Sequence, residues 1–405
     1  MKIALYITGS ISCYKSIEIC RLLVKKNHQV VVILSKGAER FLRKELFSYI
    51  GANEVYGFDD DWSCPSKSIR HIELSRWCDI FVVCPASANT ITHLANGFTK
   101  DLGTTVFLAL HETTKIMIFP AMNSNMLKNK SVTRAFDTLG EHPNIFIAPT
   151  EFGNLACGES GLGKLLQVEV IDNLISYWPL LSRNKKVLIS TGASVSPLDD
   201  VRYLTNPSSG KTGLLLAQSF LSAGYQVTVI VGFYNQEIFK FLKFHPNLTL
   251  EVAKTTCNFR DLTKVHIESS DIFISSAAIS DISFKYVSGK IKKKNLSDTL
   301  EISSSPDVLK EVLKTKNKNQ FFIGFAAEST LTKKDLHEKW KSKSVDLLVG
   351  TEVNNGLSGD EDTKGFISNS ASYKFFENQE VSFSGKLNKI ELSQRLLDKV
   401  NQWLN

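Results

Sequence analysis

The stretch Lys2-Ile3-Ala4-Leu5-Tyr6-Ile7-Thr8-Gly9-Ser10-Ile11-Ser12 decides the fold. Lys2–Ile7 has the apolar density and length of a buried strand, and Thr8-Gly9-Ser10 ends it with the small residues of a tight turn. The apolar spacing then becomes helical through Ile17, Cys20, Leu23 and Val24, and a second strand follows at Val30–Leu34. A strand, a helix and another strand in direct succession predict a parallel sheet with crossover helices. The pattern recurs: strand at Asp79–Cys84, helix at Ser87–Ala95, strand at Lys115–Phe119, helix at Ser124–Leu139, strand at Asn144–Ala148. The first part of the chain therefore reads as a doubly wound α/β domain.

Around Trp178-Pro179-Leu180-Leu181-Ser182-Arg183-Asn184 the periodicity breaks into a linker. It restarts with a strand at Lys186–Ser190 that ends in Thr191-Gly192-Ala193-Ser194, a weak echo of the opening stretch. Strands are expected at Gln226–Val231, Asp271–Ser275, Phe321–Phe325 and Asp346–Val349. Helices are expected near Lys211–Ala223, Thr256–Ser269, Pro306–Thr315 and Lys333–Ser344. Phe366–Phe376 and Val381–Phe383 read as a hairpin, and Leu387–Leu404 as an amphipathic closing helix. The expectation is two doubly wound, Rossmann-like domains, 1–182 and 185–405. Ligands of such sheets bind beyond the carboxyl ends of the strands, so the segments just after strands are where chemistry should sit.

Composition narrows the class. The 405 residues are 43% hydrophobic and 22% charged, which fits a folded globular protein and excludes a disordered, collagen-like or coiled-coil chain. A net charge of +7 over that length suits anionic small substrates and does not call for nucleic acid or a membrane. The seven cysteines are odd in number and hold no C-x-x-C pair, which reads as reduced thiols in a cytoplasmic protein. No apolar run approaches the ~20 residues of a membrane helix.

Two small-residue turns, Thr8-Gly9-Ser10-Ile11-Ser12 and Pro85-Ala86-Ser87-Ala88-Asn89-Thr90, precede helices in the first domain. Such turns offer backbone N–H groups to a phosphate, although ordinary capped turns have the same composition. Neither is the G-x-G-x-x-G dinucleotide fingerprint, which disfavours a nicotinamide dehydrogenase. Three further segments stand out. His71-Ile72-Glu73-Leu74 lies in a polar region. Pro120-Ala121-Met122-Asn123 closes a strand. Ala156-Cys157-Gly158-Glu159-Ser160-Gly161-Leu162-Gly163-Lys164 is loop-like, and its cysteine can reach a ligand where a core cysteine cannot.

In that order these five motifs resemble the flavin-dependent phosphopantothenoylcysteine decarboxylases, members of the homo-oligomeric flavin-containing cysteine decarboxylases. The resemblance covers about residues 1–180. It implies a flavodoxin-like flavoprotein domain with FMN held near Gly9, Ser10, Ser35, Pro85, Ser87, Ala88 and Asn89, at the interface between subunits of a homo-oligomer. It implies His71 as a base in oxidation of the substrate cysteine, Asn123 as the group that binds the substrate carboxylate, and Cys157, on a flap, as a proton donor. The family usually has Arg where this chain has Lys164.

In the second domain the densest polar run is Asp199-Asp200-Val201-Arg202-Tyr203-Leu204-Thr205-Asn206-Pro207-Ser208-Ser209-Gly210-Lys211-Thr212-Gly213. Gly210-Lys211-Thr212 is not a P-loop, because Thr205 stands where the first Walker glycine belongs. What remains is a Ser/Gly loop feeding a helix, which suits an anion. Asp281 follows a strand and can serve a metal or a nucleotide. Lys290-Ile291-Lys292-Lys293-Lys294 is a basic run without interleaved aromatics, better suited to a triphosphate than to nucleic acid. Lys339 and Lys343 face one way on a helix.

This set, with the turns Ser305-Pro306-Asp307-Val308 and Gly324-Phe325-Ala326-Ala327-Glu328, resembles phosphopantothenate–cysteine ligase over about residues 185–405. The fused chain resembles the bifunctional bacterial coenzyme A biosynthesis proteins. That implies CTP and Mg²⁺ as requirements, and 4′-phosphopantothenate and cysteine as substrates. Lys290 would assist acyl-cytidylate formation and Asn206 would convert that intermediate. Arg202 would lie near it, and Asp281, Ser305, Pro306, Asp307, Val308, Phe325, Lys339 and Lys343 would bind CTP. Ser194-Val195-Ser196 and Ser305 depart from the family's usual Thr-x-Glu and Asn. Two alternatives are a flavin-binding regulatory subunit and a decarboxylase with a degenerate ligase half. The joint presence of His71, Asn123 and Cys157 argues against a pure binding role.

Overall fold

The computed structural model describes residues 1–61, 69–179, 181–292, 299–328, 332–353 and 368–404. The chain divides into two units, Met1–Leu180 and Leu181–Asn405.

The first unit is built on β1 (Lys2–Ile7), β2 (Gln29–Leu34), β3 (Glu54–Tyr56), β4 (Ile80–Ala86), β5 (Lys115–Pro120) and β6 (Ile145–Ile147). They form one sheet in the order β3-β2-β1-β4-β5-β6, and every pair is parallel. Without the short edge strand β3 this is the flavodoxin-like order. β1, β2 and β4 are buried along almost their whole length, which is why they read as continuous apolar runs rather than as alternation. The chain leaves β1 and β4 in opposite directions, so the crevice between their carboxyl ends is the switch point where such sheets bind ligands.

The helices of this unit are α1 (Lys15–Lys25), α2 (Lys44–Tyr49), α3 (Arg70–Trp77), α4 (Ala88–Ala95), α5 (Leu102–Leu108), α6 (Ser124–Leu127), α7 (Lys130–Gly140) and α8 (Val168–Ser176). Three local expectations change. The helix expected over Ser124–Leu139 is two, because the Asn129 side chain accepts the Ser131 N–H and starts α7 afresh. The polar region around His71 is the helix α3, which buries only Leu74 and Ser75 and so shows little apolar periodicity. The Gly-rich segment is an antiparallel hairpin, β7 (Glu151–Asn154) and β8 (Ser160–Lys164).

The second unit contains β9 (Lys186–Thr191), β10 (Val195–Pro197), β11 (Tyr203–Thr205), β12 (Gln226–Gly232), β13 (Leu248–Ala253), β14 (Ile272–Ser275), β15 (Ile282–Phe284), β16 (Ile302–Ser304), β17 (Phe321–Glu328), β18 (Leu347–Glu352), β19 (Ser370–Glu377) and β20 (Glu380–Asn388). Its main sheet runs β13-β12-β9-β14-β17-β18-β19-β20, parallel up to β18 and antiparallel beyond. The helices are α9 (Lys211–Ser222), α10 (Thr256–Ile267), α11 (Val308–Leu313), α12 (Lys333–Lys343) and α13 (Lys389–Leu404). The final hairpin is β19–β20; its expected start at Phe366 lies outside the described residues. The closing helix begins at Lys389 rather than Leu387, because β20 extends through Asn388.

Each unit has its own core. Tyr6, Phe81, Val83, Ile91 and Ile118 pack together in the first, and Phe259, Phe273, Phe322, Leu348 and Phe376 in the second. Cys13, Cys20, Cys78 and Cys84 are buried free thiols, whereas Cys157 and Cys257 are exposed; Cys64 lies outside the described residues. Burial pushes the thiols of Cys20 and Cys78 up to about 12, which makes them inert at neutral pH. Among the described residues no helix is long and apolar enough to cross a membrane.

Candidate active sites

In the first unit one cavity lies at the switch point. Gly9, Ser10, Ile11 and Ser12 from the turn after β1 line it, together with Ser87 and Ala88 after β4. Met122 and Asn123 after β5 and Ala156 and Cys157 from the flap complete the wall. Four separated motifs thus meet in one place.

The two turns are tied by Thr8, which sequence reasoning did not single out. Its buried Oγ1 donates to the Pro85 carbonyl at 2.7 Å and accepts the Ser87 N–H at 2.9 Å. A Cβ on Gly9 would stand 2.8 Å from Gly37 Cα, so only glycine lets these backbones approach. Ser35 sits behind this contact, where its Oγ accepts the Ala38 N–H at 3.1 Å. Ser35, Pro85 and Asn89 adjoin the cavity through these turns and do not line it.

The flap docks on the loop after β5. Met122 N–H donates to the Gly163 carbonyl at 3.0 Å, and Ser124 Oγ to the Leu162 carbonyl at 2.5 Å. Gly163 has φ +121°, and a Cβ there would lie 2.2 Å from Met122 O. Asn123 Oδ1 accepts the Asn125 N–H at 2.8 Å, which orients the amide. Its Nδ2 then points to Cys157 Sγ at 3.3 Å and to Glu159 Oε2 at 3.2 Å. Cys157 Sγ donates to the same carboxylate at 3.7 Å. Glu159 was quoted within its motif but given no role; only its distance to Asn123 reveals one. His71 is not on this wall. Its Nδ1 lies 2.7 Å from Asp61 Oδ2, and its N–H donates to Asp61 Oδ1 at 3.1 Å.

In the second unit a cavity opens at the carboxyl ends of β9, β14, β17 and β18. Asn206, Asp281, Pro306, Asp307, Val308, Phe325, Lys339 and Lys343 line it, with the loop Ser208–Thr212. Asn206 Nδ2 donates to the Ala278 carbonyl at 3.0 Å, and the Ser305 N–H to the Asp281 carbonyl at 2.8 Å. Lys339 is ion-paired with Glu328. Burial and Lys343 pull Lys339 below the usual lysine range, and Asp281 opposes them. Lys211 and Lys389 also line this cavity, and neither was a sequence candidate.

Arg202, Lys290 and Ser305 lie outside that wall. Arg202 Nε donates to the buried Asp199 at 3.0 Å, and its Nη2 to the Ile291 carbonyl at 3.1 Å. Asp199 also accepts the Ile291 N–H at 3.1 Å, so Arg202 and the segment that carries Lys290 are clamped together. Arg202 holds the Asp199 carboxyl well below the usual carboxylate range. Among the described residues no group of three or more His, Cys, Asp or Glu forms a ready-made metal site.

Fold and sites define a two-part α/β protein with a cavity at the carboxyl ends of the sheet strands in each part. Residues 1–178 match the family described as Flavoprotein, and residues 182–404 the DNA/pantothenate metabolism flavoprotein C-terminal domain. The chain is 34% identical over 371 residues to the coenzyme A biosynthesis bifunctional protein CoaBC of Bacillus subtilis, covering 89% of this chain and 88% of that one. It is 30% identical over 384 residues to the protein of the same name from Borreliella burgdorferi, covering 93% and 95%. A solved structure titled the FMN binding protein AtHal3 is 29% identical with a TM-score of 0.39, covering 43% of this chain and 94% of that one. The chain belongs to the bifunctional coenzyme A biosynthesis proteins, enzymes that join a flavoprotein decarboxylase to a ligase.

Proposed function

We propose that a ligase domain of residues 185–405 joins cysteine to 4′-phosphopantothenate with CTP. A decarboxylase domain of residues 1–182 then decarboxylates the 4′-phosphopantothenoylcysteine to 4′-phosphopantetheine. The observation that carries the reading is the meeting of the β1 turn, the β4 turn, Asn123 and Cys157 on one cavity.

Direct loss of carbon dioxide from the cysteine carboxylate would leave an unstabilised carbanion. FMN, when bound, would supply the redox chemistry that gives those electrons somewhere to delocalise. The residues fit that group: the close Gly9–Gly37 approach and the small side chains of Ser10, Ser87 and Ala88 leave open space at the switch point. Gly9, Ser10, Ser35, Pro85, Ser87, Ala88 and Asn89 would hold it. Asn123 Nδ2 binds the substrate carboxylate, which takes the place that Glu159 occupies in the free site. Cys157 gives the proton. His71 serves as base; a carboxylate at its Nδ1 favours the tautomer whose Nε2 accepts protons. Because His71 is off the wall, the cavity is completed by a second copy in a homo-oligomer, consistent with exposed Ile11 and Tyr14 at its rim.

In the ligase half, the 4′-phosphopantothenate carboxylate attacks the α-phosphorus of CTP. A C–O–P mixed anhydride forms and pyrophosphate leaves; the cysteine amine then displaces CMP. Lysines neutralise the triphosphate so that an anionic carboxylate can approach. Mg²⁺ fits with Asp281 as a protein ligand and phosphate oxygens as the rest, since this ion is commonly held by one or two carboxylates plus substrate phosphates. Lys290 assists the first step and Asn206 the second, with Arg202 beside the intermediate. The remaining Ser305, Pro306, Asp307, Val308, Phe325, Lys339 and Lys343 bind the nucleotide. The protein acts in the cytoplasm.

Cys157→Ser tests the reading. Given 4′-phosphopantothenoylcysteine, the variant is expected to release carbon dioxide while 4′-phosphopantetheine falls by about 10²-fold or more, the usual contribution of a positioned acid. Normal 4′-phosphopantetheine output would refute the role of Cys157.

A further inference from the structure

The tip of the flap is a tight turn. Gly158 N–H donates to the Leu155 carbonyl at 3.0 Å, and Leu155 N–H to the Glu159 carbonyl at 2.8 Å. Gly158 has φ +86°, a backbone conformation that favours glycine. The turn brings the side chains of Cys157 and Glu159, two residues apart, to the same target. Asn123 Nδ2 donates to Cys157 Sγ at 3.3 Å and to Glu159 Oε2 at 3.2 Å, and Cys157 Sγ donates to Glu159 Oε2 at 3.7 Å. Amide, thiol and carboxylate thus close a ring of three hydrogen bonds.

A side-chain amide has two N–H donors, and these two contacts use both. A substrate carboxylate that binds Asn123 Nδ2 therefore needs a donor that Glu159 already holds. Two carboxylates on one amide, within about 4 Å of each other, also repel. Glu159 is the one placed to leave. It is exposed, and among the described residues no lysine or arginine pairs with it; the Asn123 amide and the Cys157 thiol are its side-chain donors. Its departure also takes away the acceptor of the Cys157 thiol. That proton then turns to an acceptor within the cavity that Cys157 lines.

We propose that Glu159 is a specificity-determining residue of the decarboxylase: it holds Asn123 and Cys157 as an internal stand-in for the substrate carboxylate, and an entering carboxylate displaces it and releases the thiol. The inference rests on reading Asn123 as the partner of the substrate carboxylate, and deepens it. Glu159 acts through Asn123 and Cys157, as a positioning residue. A ligand without that carboxylate, the product 4′-phosphopantetheine, leaves Glu159 in place. Competition is thus confined to the substrate, whereas a residue that only shapes the flap would alter the binding of substrate and product alike.

The test uses the full, flavin-loaded chain carrying Glu159→Gln or Glu159→Ala. Both changes fall on an exposed turn tip, where a Cβ on the adjacent Gly158 would meet nothing within 4 Å, so the fold tolerates them. Decarboxylation kinetics are measured with 4′-phosphopantothenoylcysteine, and binding of 4′-phosphopantetheine by calorimetry. The KM for the substrate is expected to fall by about threefold or more, because a site that is partly occupied by its own residue binds substrate only through its open fraction. The affinity for 4′-phosphopantetheine is expected to stay unchanged. A substrate KM that is unchanged or raised, or a product affinity that shifts in parallel with it, would overturn the inference. Asn123→Ala separates this result from the reading beneath it. Normal decarboxylation with a normal KM in that variant would refute the carboxylate role of Asn123, and Glu159's role with it. Lost decarboxylation in Asn123→Ala beside an unchanged substrate KM in Glu159→Gln would leave the role of Asn123 standing and remove that of Glu159.

Discussion

In the first unit the chain passes from β1 to its helix through one short turn; in the second, residues 192–210 intervene between β9 and α9. The short turn is built of small residues, and the first unit presents Cys157 to its cavity from a flap, β7–β8, that folds back onto Asn123. The long connection carries its own: Arg202, Asn206 and the Ser/Gly loop all lie within it. The framework is nonetheless shared. A buried hydroxyl beyond the first strand ties it to the turn beyond its neighbour in both units: Thr8 to Pro85 and Ser87, and Ser194, whose Oγ accepts the Ser280 N–H at 2.8 Å. The difference teaches that a doubly wound sheet fixes where a ligand sits, while the choice of connection decides which residues meet it.

Gly163→Ala should show the largest effect, because its Cβ would collide with Met122 O and its backbone conformation excludes most side chains. Decarboxylation is expected to fall by about 10²-fold, as misplacement of a reactive group by about 1 Å does. Ligation is expected to continue at its normal rate. Equal loss of both activities would break the claim that the flap serves one unit only. Thr8→Val comes next. It leaves the Ser87 N–H and Pro85 carbonyl without their partner, at about 2–4 kcal/mol, read from urea midpoints and from flavin retention. Ser194→Ala removes one such acceptor and should cost about 1–3 kcal/mol, in the transition of the second unit alone. If Thr8→Val is costly and Ser194→Ala is neutral, the parallel between the two hydroxyls fails. The smallest effect is expected from Lys164→Arg. It keeps the charge and adds bidentate geometry, so the KM for phosphopantothenoylcysteine should shift by less than about threefold, under ~1 kcal/mol.

The strands that decide the fold were legible because both faces of a parallel sheet are buried, so β1, β2, β4, β9 and β12 appear as dense apolar runs. Edge and flap strands were not. β3 has three residues, and β7–β8 carries Gly153, Gly161 and Gly163 and only Phe152 and Leu162 as large apolar residues. The helix carrying His71 escaped notice because so little of it is buried. The motifs located both cavities, since Asn123 with Cys157 and Asp281 with Lys339 do share walls. What remained hidden were residues whose importance is purely tertiary. Thr8 is one hydroxyl in a small turn until Ser87 arrives beside it, and Lys389 is one lysine at the start of an amphipathic helix until the fold buries it.

The most direct measurement is mass spectrometry of one reaction containing the purified chain, 4′-phosphopantothenate, cysteine, CTP and Mg²⁺. Two cooperating units on one chain predict 4′-phosphopantetheine together with CMP and pyrophosphate. Accumulation of 4′-phosphopantothenoylcysteine by flavin-loaded protein would contradict the decarboxylase assignment. Folded, yellow protein that leaves both CTP and 4′-phosphopantothenate intact would contradict the account of the ligase.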